Sequence, residues 1–216
     1  MPEPVLMSDE RVTGLPSQHS SEPMVDLEST GIMRFSDRKR SNNRRIGFAR
    51  ESVGRLLAEA TALLPSGIVF LGVEAYRPPR LQLLYYRTYM DRLRADGPEL
   101  TTAELEALTS RFVSPPEVAP HPTGAAIDLT LATAEGDELD MGCAVDATPE
   151  ASQGACYTEA LGLPKEAVAN RRLLVTALQA VGLVNYPTEW WHWSFGDRYW
   201  AMATGAKAAL YSVATD

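Results

Sequence analysis

Two of the three histidines in this 216-residue chain sit in short motifs: His121-Pro-Thr-Gly124-Ala-Ala-Ile-Asp128 and Glu189-Trp190-Trp191-His192. His121, Asp128 and His192 make a three-ligand set of the kind that holds a catalytic zinc ion. Such a set keeps a fourth position open for water, where structural zinc sites are closed. Glu189 need not bind the ion to take part, because a carboxylate beside the water is a ready general base. These residue types point to a metal-dependent hydrolase. The helical H-E-x-x-H signature is absent, so the chain is not a zincin.

Each of these residues also has a plainer reading. Asp128 lies among apolar neighbours, where an ionised, unpaired carboxylate costs several kcal/mol to bury. Backbone amides could satisfy it as well as a metal. His192, between two tryptophans, could be structural. Arg77, in Glu74-Ala-Tyr76-Arg77-Pro78-Pro79, is either an ordinary surface arginine or a stabiliser of the oxyanion formed when a carbonyl is attacked. Asp146, downstream of Asp140-Met-Gly142, is either a turn former or a counter-charge for a substrate amine. On a straight strand residues i and i+3 face opposite sides. Glu189 and His192 can therefore meet only if a bulge, a turn or a strand end falls at Trp190-Trp191.

The surrounding pattern says what must position them. Gly47 to Leu64 has helical spacing, with Phe48, Val53, Leu56, Leu57, Ala60 and Leu64 near one face and Pro65 as the stop. Ile68 to Tyr76 reads as a strand and Leu81 to Leu93 as a helix whose contacts are Leu84, Tyr85, Tyr89 and Leu93. Thr101-x-x-Glu104 is a capping box ahead of Leu105, Leu108 and Phe112. Ala125 to Leu131 alternates as a strand, with Ala126, Asp128 and Thr130 on one face. Residues 132 to 163 form a long irregular excursion of the sort that is often functional. A helix follows Pro164, with Val168, Leu174, Val175, Leu178 and Val181 on one side. Leu183 to Phe195 then reads as strand, turn, strand, and Arg198 to Tyr211 as a C-terminal helix. Few strands with uneven connections predict an α+β fold, a small mostly antiparallel sheet flanked by helices. Residues 1 to 30, rich in Pro, Ser and Glu, form an N-terminal arm, either loose or ordered on contact, ahead of a single domain over 31–216.

The net charge of −8 argues against nucleic acid as a partner. The local basic run of Arg38, Lys39, Arg40, Arg44 and Arg45 reads as a solvated segment. Cys143 and Cys156 make no disulfide framework, and whether they pair is left open. No stretch approaches the ~20 apolar residues of a membrane span, and no apolar run of the signal-peptide kind opens the chain. The expected compartment is the cytoplasm. The oligomeric state is left open, a homo-oligomer included.

Taken together, the motifs resemble the D-alanyl-D-alanine dipeptidases, the vancomycin-resistance dipeptidase group (subfamily D) of the M15 metallopeptidases. The resemblance rests on Tyr76-Arg77-Pro78 with Gln82, His121-x-x-Gly124-x-Ala126-x-Asp128-Leu-Thr-Leu, Asp140-Met-Gly142 with Asp146, Asn170-Arg171-Arg172-Leu, and Glu189-Trp190-Trp191-His192, which run in family order. It implies that His121, Asp128 and His192 bind Zn2+, that Glu189 is the base, and that Arg77 stabilises the transition state. It implies that Asp146 holds the amino group of a small dipeptide substrate, and Trp191 is expected to bind substrate as well. It further implies the fold shared with D,D-carboxypeptidases and the hedgehog signalling domain, with a small cavity that admits little more than a dipeptide. Where the family has serine two residues before the first histidine, and often immediately before it, this chain has Ala119 and Pro120. A hydroxyl that helps hold the substrate carboxylate is thus missing, and such a bond to a charged group is worth roughly 1.5–3 kcal/mol. No match extends before about residue 46. The resemblance leaves two other readings: a zinc amidase or peptidase of a specialised pathway acting on another small peptide-like substrate, and a catalytically silent binding module like the hedgehog-type relatives.

Overall fold

The computed structural model describes residues 3–41 and 43–214. Among these described residues, seven strands and six α-helices follow one another as α1 (Glu10–Thr13), β1 (Met24–Asp26), β2 (Arg34–Phe35), β3 (Phe48–Arg50), α2 (Glu51–Thr61), β4 (Ile68–Glu74), α3 (Pro79–Asp96), α4 (Thr102–Ser110), β5 (Ala126–Thr133), α5 (Lys165–Ala180), β6 (Val184–Asn185), β7 (His192–Ser194) and α6 (Arg198–Thr204). The main sheet has the order β2-β4-β5-β7-β6. In it the β2–β4 pair is parallel and the other pairs are antiparallel. This is the α+β class predicted, with a small mostly antiparallel sheet. A second sheet pairs β1 with β3.

One face of the sheet carries the core. Ile127, Leu129 and Leu131 of β5 pack in one apolar cluster with Val53, Leu56, Leu57 and Ala60 of α2 and Leu174, Ala177 and Leu178 of α5. Burying each such leucine or isoleucine stabilises the fold by roughly 1.5–3 kcal/mol. Asp128 points to the opposite face by the period-2 rule. There β5 lies between two partners, and Glu74, Asp128 and His192 are direct neighbours across three adjacent strands. An irregularity in β4 sets this row. Gly72 pairs with Leu129 and Glu74 with Asp128, so Val73 is an extra residue. Without that bulge Val73 would oppose Asp128, because a one-residue shift exchanges the faces of a strand.

Several elements are shorter than their sequence pattern. The helical pattern from Gly47 becomes helix only at Glu51, because residues 48–50 pair with β1. The C-terminal helix ends at Thr204, where Gly205 takes a left-handed conformation (φ 73°). The chain then runs back to bridge Ser17 with Ala209. Leu84 and Val168 are exposed; α3 turns Gln82, Tyr89 and Leu93 inward instead. The capping box of α4 has both arms in place. Cys143 and Cys156 are free thiols.

The described part of the N-terminal arm, residues 3–30, lies against the body. Met7, Val12 and Leu27 are fully buried. The Met7 amide donates to the Tyr186 hydroxyl at 3.1 Å, and that hydroxyl donates to the Ser110 carbonyl at 2.5 Å. Between residues 134 and 164 no helix or strand forms. The excursion is tied to α5 by the buried Arg171, whose guanidinium donates to the carbonyls of Met141 (2.7 Å), Tyr157 (2.6 Å) and Ala155 (2.6 Å). No helix of the described residues is long and apolar enough to cross a membrane.

Candidate metal centre

His121 stands on a 3-10 turn, His121–Thr123, closed by Gly124 at φ 74°. The turn is held from below: the Arg50 amide donates to the Gly124 carbonyl at 2.8 Å and the Arg50 side chain to the Thr123 carbonyl at 2.8 Å. A Cβ at residue 124 would meet the Met24 sulfur at 3.0 Å. Left-handed backbone also costs an L-residue roughly 1–2 kcal/mol. Gly124→Ala is therefore expected to destabilise the fold by about 1–2 kcal/mol, read by denaturant unfolding. Unchanged stability would show that the turn can rearrange.

The turn expected at Trp190-Trp191 is present. The His192 amide donates to the Glu189 carbonyl at 3.2 Å and the Glu189 amide to the Tyr186 carbonyl at 2.9 Å. The Asn185 side-chain amide spans the turn, donating to the carbonyls of Glu189 and His192 at 3.0 Å each. Glu189 and His192 thus fall on the same side, with Glu189 Oε2 3.8 Å from His192 Nδ1.

His121, Asp128 and His192 are all buried and offer three ligand atoms within 4.8 Å of one another. Asp128 Oδ2 lies 3.3 Å from His121 Nε2, and Oδ1 lies 2.9 Å from His192 Nδ1. Ligands about 2.0–2.1 Å from a tetrahedral zinc stand roughly 3.3–3.4 Å apart; the His121–Asp128 distance matches that spacing and the His192–Asp128 distance is shorter. The His121 Nδ1 lies 2.6 Å from the Ala75 carbonyl; with the proton on that nitrogen, Nε2 would present its lone pair to a metal. A backbone acceptor on the far nitrogen is the usual way a ligating histidine is oriented. Burial raises the pKa of Asp128, but the two imidazoles outweigh it and hold the carboxyl well below its ordinary value. Burial lowers His192, against the pull of Asp128. Burial pushes Glu189 well above the ordinary carboxylate range, with the negative Asp128 and Asp146 adding and Arg77 and Lys39 opposing.

Arg77 is buried and fixed on three sides. It forms a bidentate pair with Glu74, Nε to Oε1 at 3.0 Å and Nη2 to Oε2 at 2.6 Å. Its Nη1 donates to Gln82 Oε1 at 2.8 Å, and Gln82 in turn donates to the Ser114 carbonyl at 2.7 Å. Glu74 would be raised by burial, yet Arg77 and Lys39 hold it at about 2. The solvated reading of the basic run fails at Lys39. Its ammonium reaches Glu74 Oε2 at 3.0 Å and Asp146 Oδ1 at 2.7 Å. Arg38 and Arg40 beside it do point outward, to Glu138 and Glu28. Glu74 and Gln82 stood within quoted motifs without a role, and Lys39 had no signal in its spacing. Asp146 adopts φ 65°, a left-handed conformation that aspartate tolerates better than most residues.

A cavity of about 550 Å³ joins these groups, lined among others by Lys39, Arg77, Asp146, Glu189 and Trp191. All seven residues expected at the site border it, Trp191 through a fully buried indole. That volume is in the range of pockets that enclose drug-sized ligands.

A family model described as "D-ala-D-ala dipeptidase", Peptidase M15, matches residues 30–206. The match thus begins ahead of residue 46. Over 150 residues the chain is 31% identical to a protein named D-alanyl-D-alanine dipeptidase from Synechocystis sp., covering 59% of this chain and 60% of that one. It is 39% identical over 72 residues to a protein of the same name from Escherichia coli, covering 33% of this chain and 35% of that protein. The chain therefore aligns with less than two thirds of either relative's length.

Proposed function

The chain belongs to the M15 family of D-Ala-D-Ala dipeptidases, and from that premise we propose that it is a zinc-dependent hydrolase of a small D-Ala-D-Ala-type peptide. The observation that carries this reading is the convergence of His121, Asp128 and His192 within 4.8 Å, with the Glu189 carboxylate 3.8 Å from His192. Zinc held by these three residues would supply Lewis acidity and lower the pKa of water at the site. Glu189, buried and turned to the same side as His192, is suited to accept that water's proton and pass it to the departing amine. Arg77, locked by Glu74 and Gln82, offers a fixed positive charge for the oxygen that becomes negative during attack. Preorganised donors of this kind need no reorganisation as the charge forms. Asp146 and Trp191 also line the cavity, which suits them to contact the substrate. The cytoplasm suits the two free thiols, which reducing compartments maintain.

A second reading, a peptidase or amidase of another small peptide-like substrate, also has an observation behind it. Ala119 and Pro120 are buried where a substrate-binding hydroxyl is usual in the family, and neither offers one. The test is a panel of D,D-, L,D- and L,L-dipeptides and their N-acyl forms, given to protein loaded with one zinc per chain. Cleavage of a D,D-peptide bond that a chelator abolishes and zinc restores is expected. Zinc-loaded protein that cleaves no member of the panel would sink the proposal.

A further inference from the structure

Among the described residues, Nε2 of His192 is a buried nitrogen that meets no hydrogen-bond partner. The other ring nitrogen, Nδ1, faces Asp128 Oδ1 at 2.9 Å and is the one turned toward the proposed ion. With Nδ1 on a metal, a neutral imidazole carries its proton on Nε2. A ligating histidine almost always directs that second N–H at a carboxylate, a carbonyl or a water, which orients the ring and strengthens the ligand. The Ala75 carbonyl is placed to do this for His121. No described residue does it for His192 by direct contact.

The carboxylate placed to act on it is Asp197. His192 and Ser194 share one face of β7 by the period-2 rule, and Ser194 Oγ donates to Asp197 Oδ1 at 2.7 Å. Asp197 is buried, and its other partners are the amides of Trp200 at 3.0 Å and Tyr199 at 3.3 Å. All three donors are neutral, so the carboxylate's charge is solvated without being cancelled. In a setting this dry its field on a neighbouring N–H is strong. The Tyr186 ring closes the space, edge-on to both His192 and Tyr199, with centroids 6.1 and 5.0 Å away. Burial lowers the pKa of His192, opposed by Asp128 and then by Asp197; burial raises that of Asp197, opposed by Ser194, the Trp200 amide and then His192. We propose that Asp197 is a positioning residue for the metal centre: its buried negative charge favours the Nε2–H form of His192, which frees Nδ1 for the ion and strengthens that nitrogen as a ligand. This rests on the metal-dependent reading above. It is a duty apart from capping α6, which needs an oxygen at Asp197 and no charge.

Asp197→Asn separates the two duties. Asparagine caps a helix about as well as aspartate and can still accept from Ser194, but it carries no charge. Competition for Zn2+ against a chromogenic chelator is expected to show the variant binding roughly 10–100-fold more weakly than the parent, the usual cost of losing an outer partner of a ligand. Freed of zinc, the variant is expected to melt at the parent's temperature or above it. Zinc bound at parental affinity overturns the proposal. Weaker zinc together with a lower melting temperature of the metal-free variant overturns it too, because a lost cap then explains both. Should Asp197→Asn not fold, Asp197→Ser, a shorter neutral cap, is judged by the same two measurements, and failure of both to fold makes the residue a cap and overturns its role toward the metal. The parent chain is the control for the underlying reading. A parent that takes up no stoichiometric zinc removes the metal centre and the role of Asp197 with it, whereas a zinc-binding parent beside an unaffected variant removes the role alone.

Discussion

Glu189→Gln is expected to keep one zinc per chain while kcat falls by roughly 10²–10⁴, the usual contribution of a positioned general base. The substitution preserves shape and removes basicity. Glu189 Oε2 lies 3.8 Å from the nearest ligand nitrogen and belongs to the turn ahead of β7, so the three ligand atoms lose nothing. Stability gives a second, opposite readout. Burial and the negative charges of Asp128 and Asp146 work against an ionised Glu189. A neutral amide relieves that conflict, so the inactive variant should melt at the same temperature as the parent or above it. Active sites commonly hold such unfavourable charge in return for function. Full activity in Glu189→Gln would remove the residue from the mechanism, and loss of zinc would make it a ligand.

Asp128→Asn is expected to abolish stoichiometric zinc binding and, with it, hydrolysis. Each oxygen of Asp128 faces one imidazole, Oδ2 toward His121 Nε2 and Oδ1 toward His192 Nδ1. An asparagine keeps one oxygen and turns N–H groups toward the other side. It also removes the negative charge that the two imidazoles hold in ionised form. Changes outside the ligand shell already cost 10–100-fold in metal affinity, so loss of a ligand's charge should cost more than about 100-fold. Competition against a chromogenic chelator measures it. Retention of one zinc at parental affinity would exclude Asp128 as a ligand.

The residues that make the site chemically recognisable are those whose types have few other uses in an apolar setting. A carboxylate inside a β-branched run and two histidines in glycine- or tryptophan-bounded motifs are of this kind, and so was the need for a turn at Trp190-Trp191. Lys39 was hidden because five basic residues within eight positions have the composition of a solvated face. Only tertiary structure, the 3-10 turn Asp37–Lys39 running off β2 beside β4, turns one of them inward. The strand β3 was hidden for a similar reason. Its three residues continue the helical pattern of α2, and their partner strand lies in the aperiodic arm. The bulge at Val73 decides which side chain stands beside Asp128, and pairing across the sheet reveals it where the strand's own pattern does not. The end of the C-terminal helix was marked by Gly205, a local stop that the apolar spacing beyond it outweighed.

The Arg171 clamp has a consequence for how this site can diversify. It holds the excursion through the backbone carbonyls of Met141, Ala155 and Tyr157, which every amino acid possesses. That part of the anchoring does not depend on which side chains the segment carries, whereas the buried Met141, Val145 and Cys156 anchor it through the core. Substitutions at the unburied positions around Asp146 are therefore expected to alter the cavity lining while leaving the path of the chain, and the cluster of His121, Asp128 and His192, undisturbed. Substrate preference and metal chemistry are thus separately mutable, and related chains can be expected to differ most in the first.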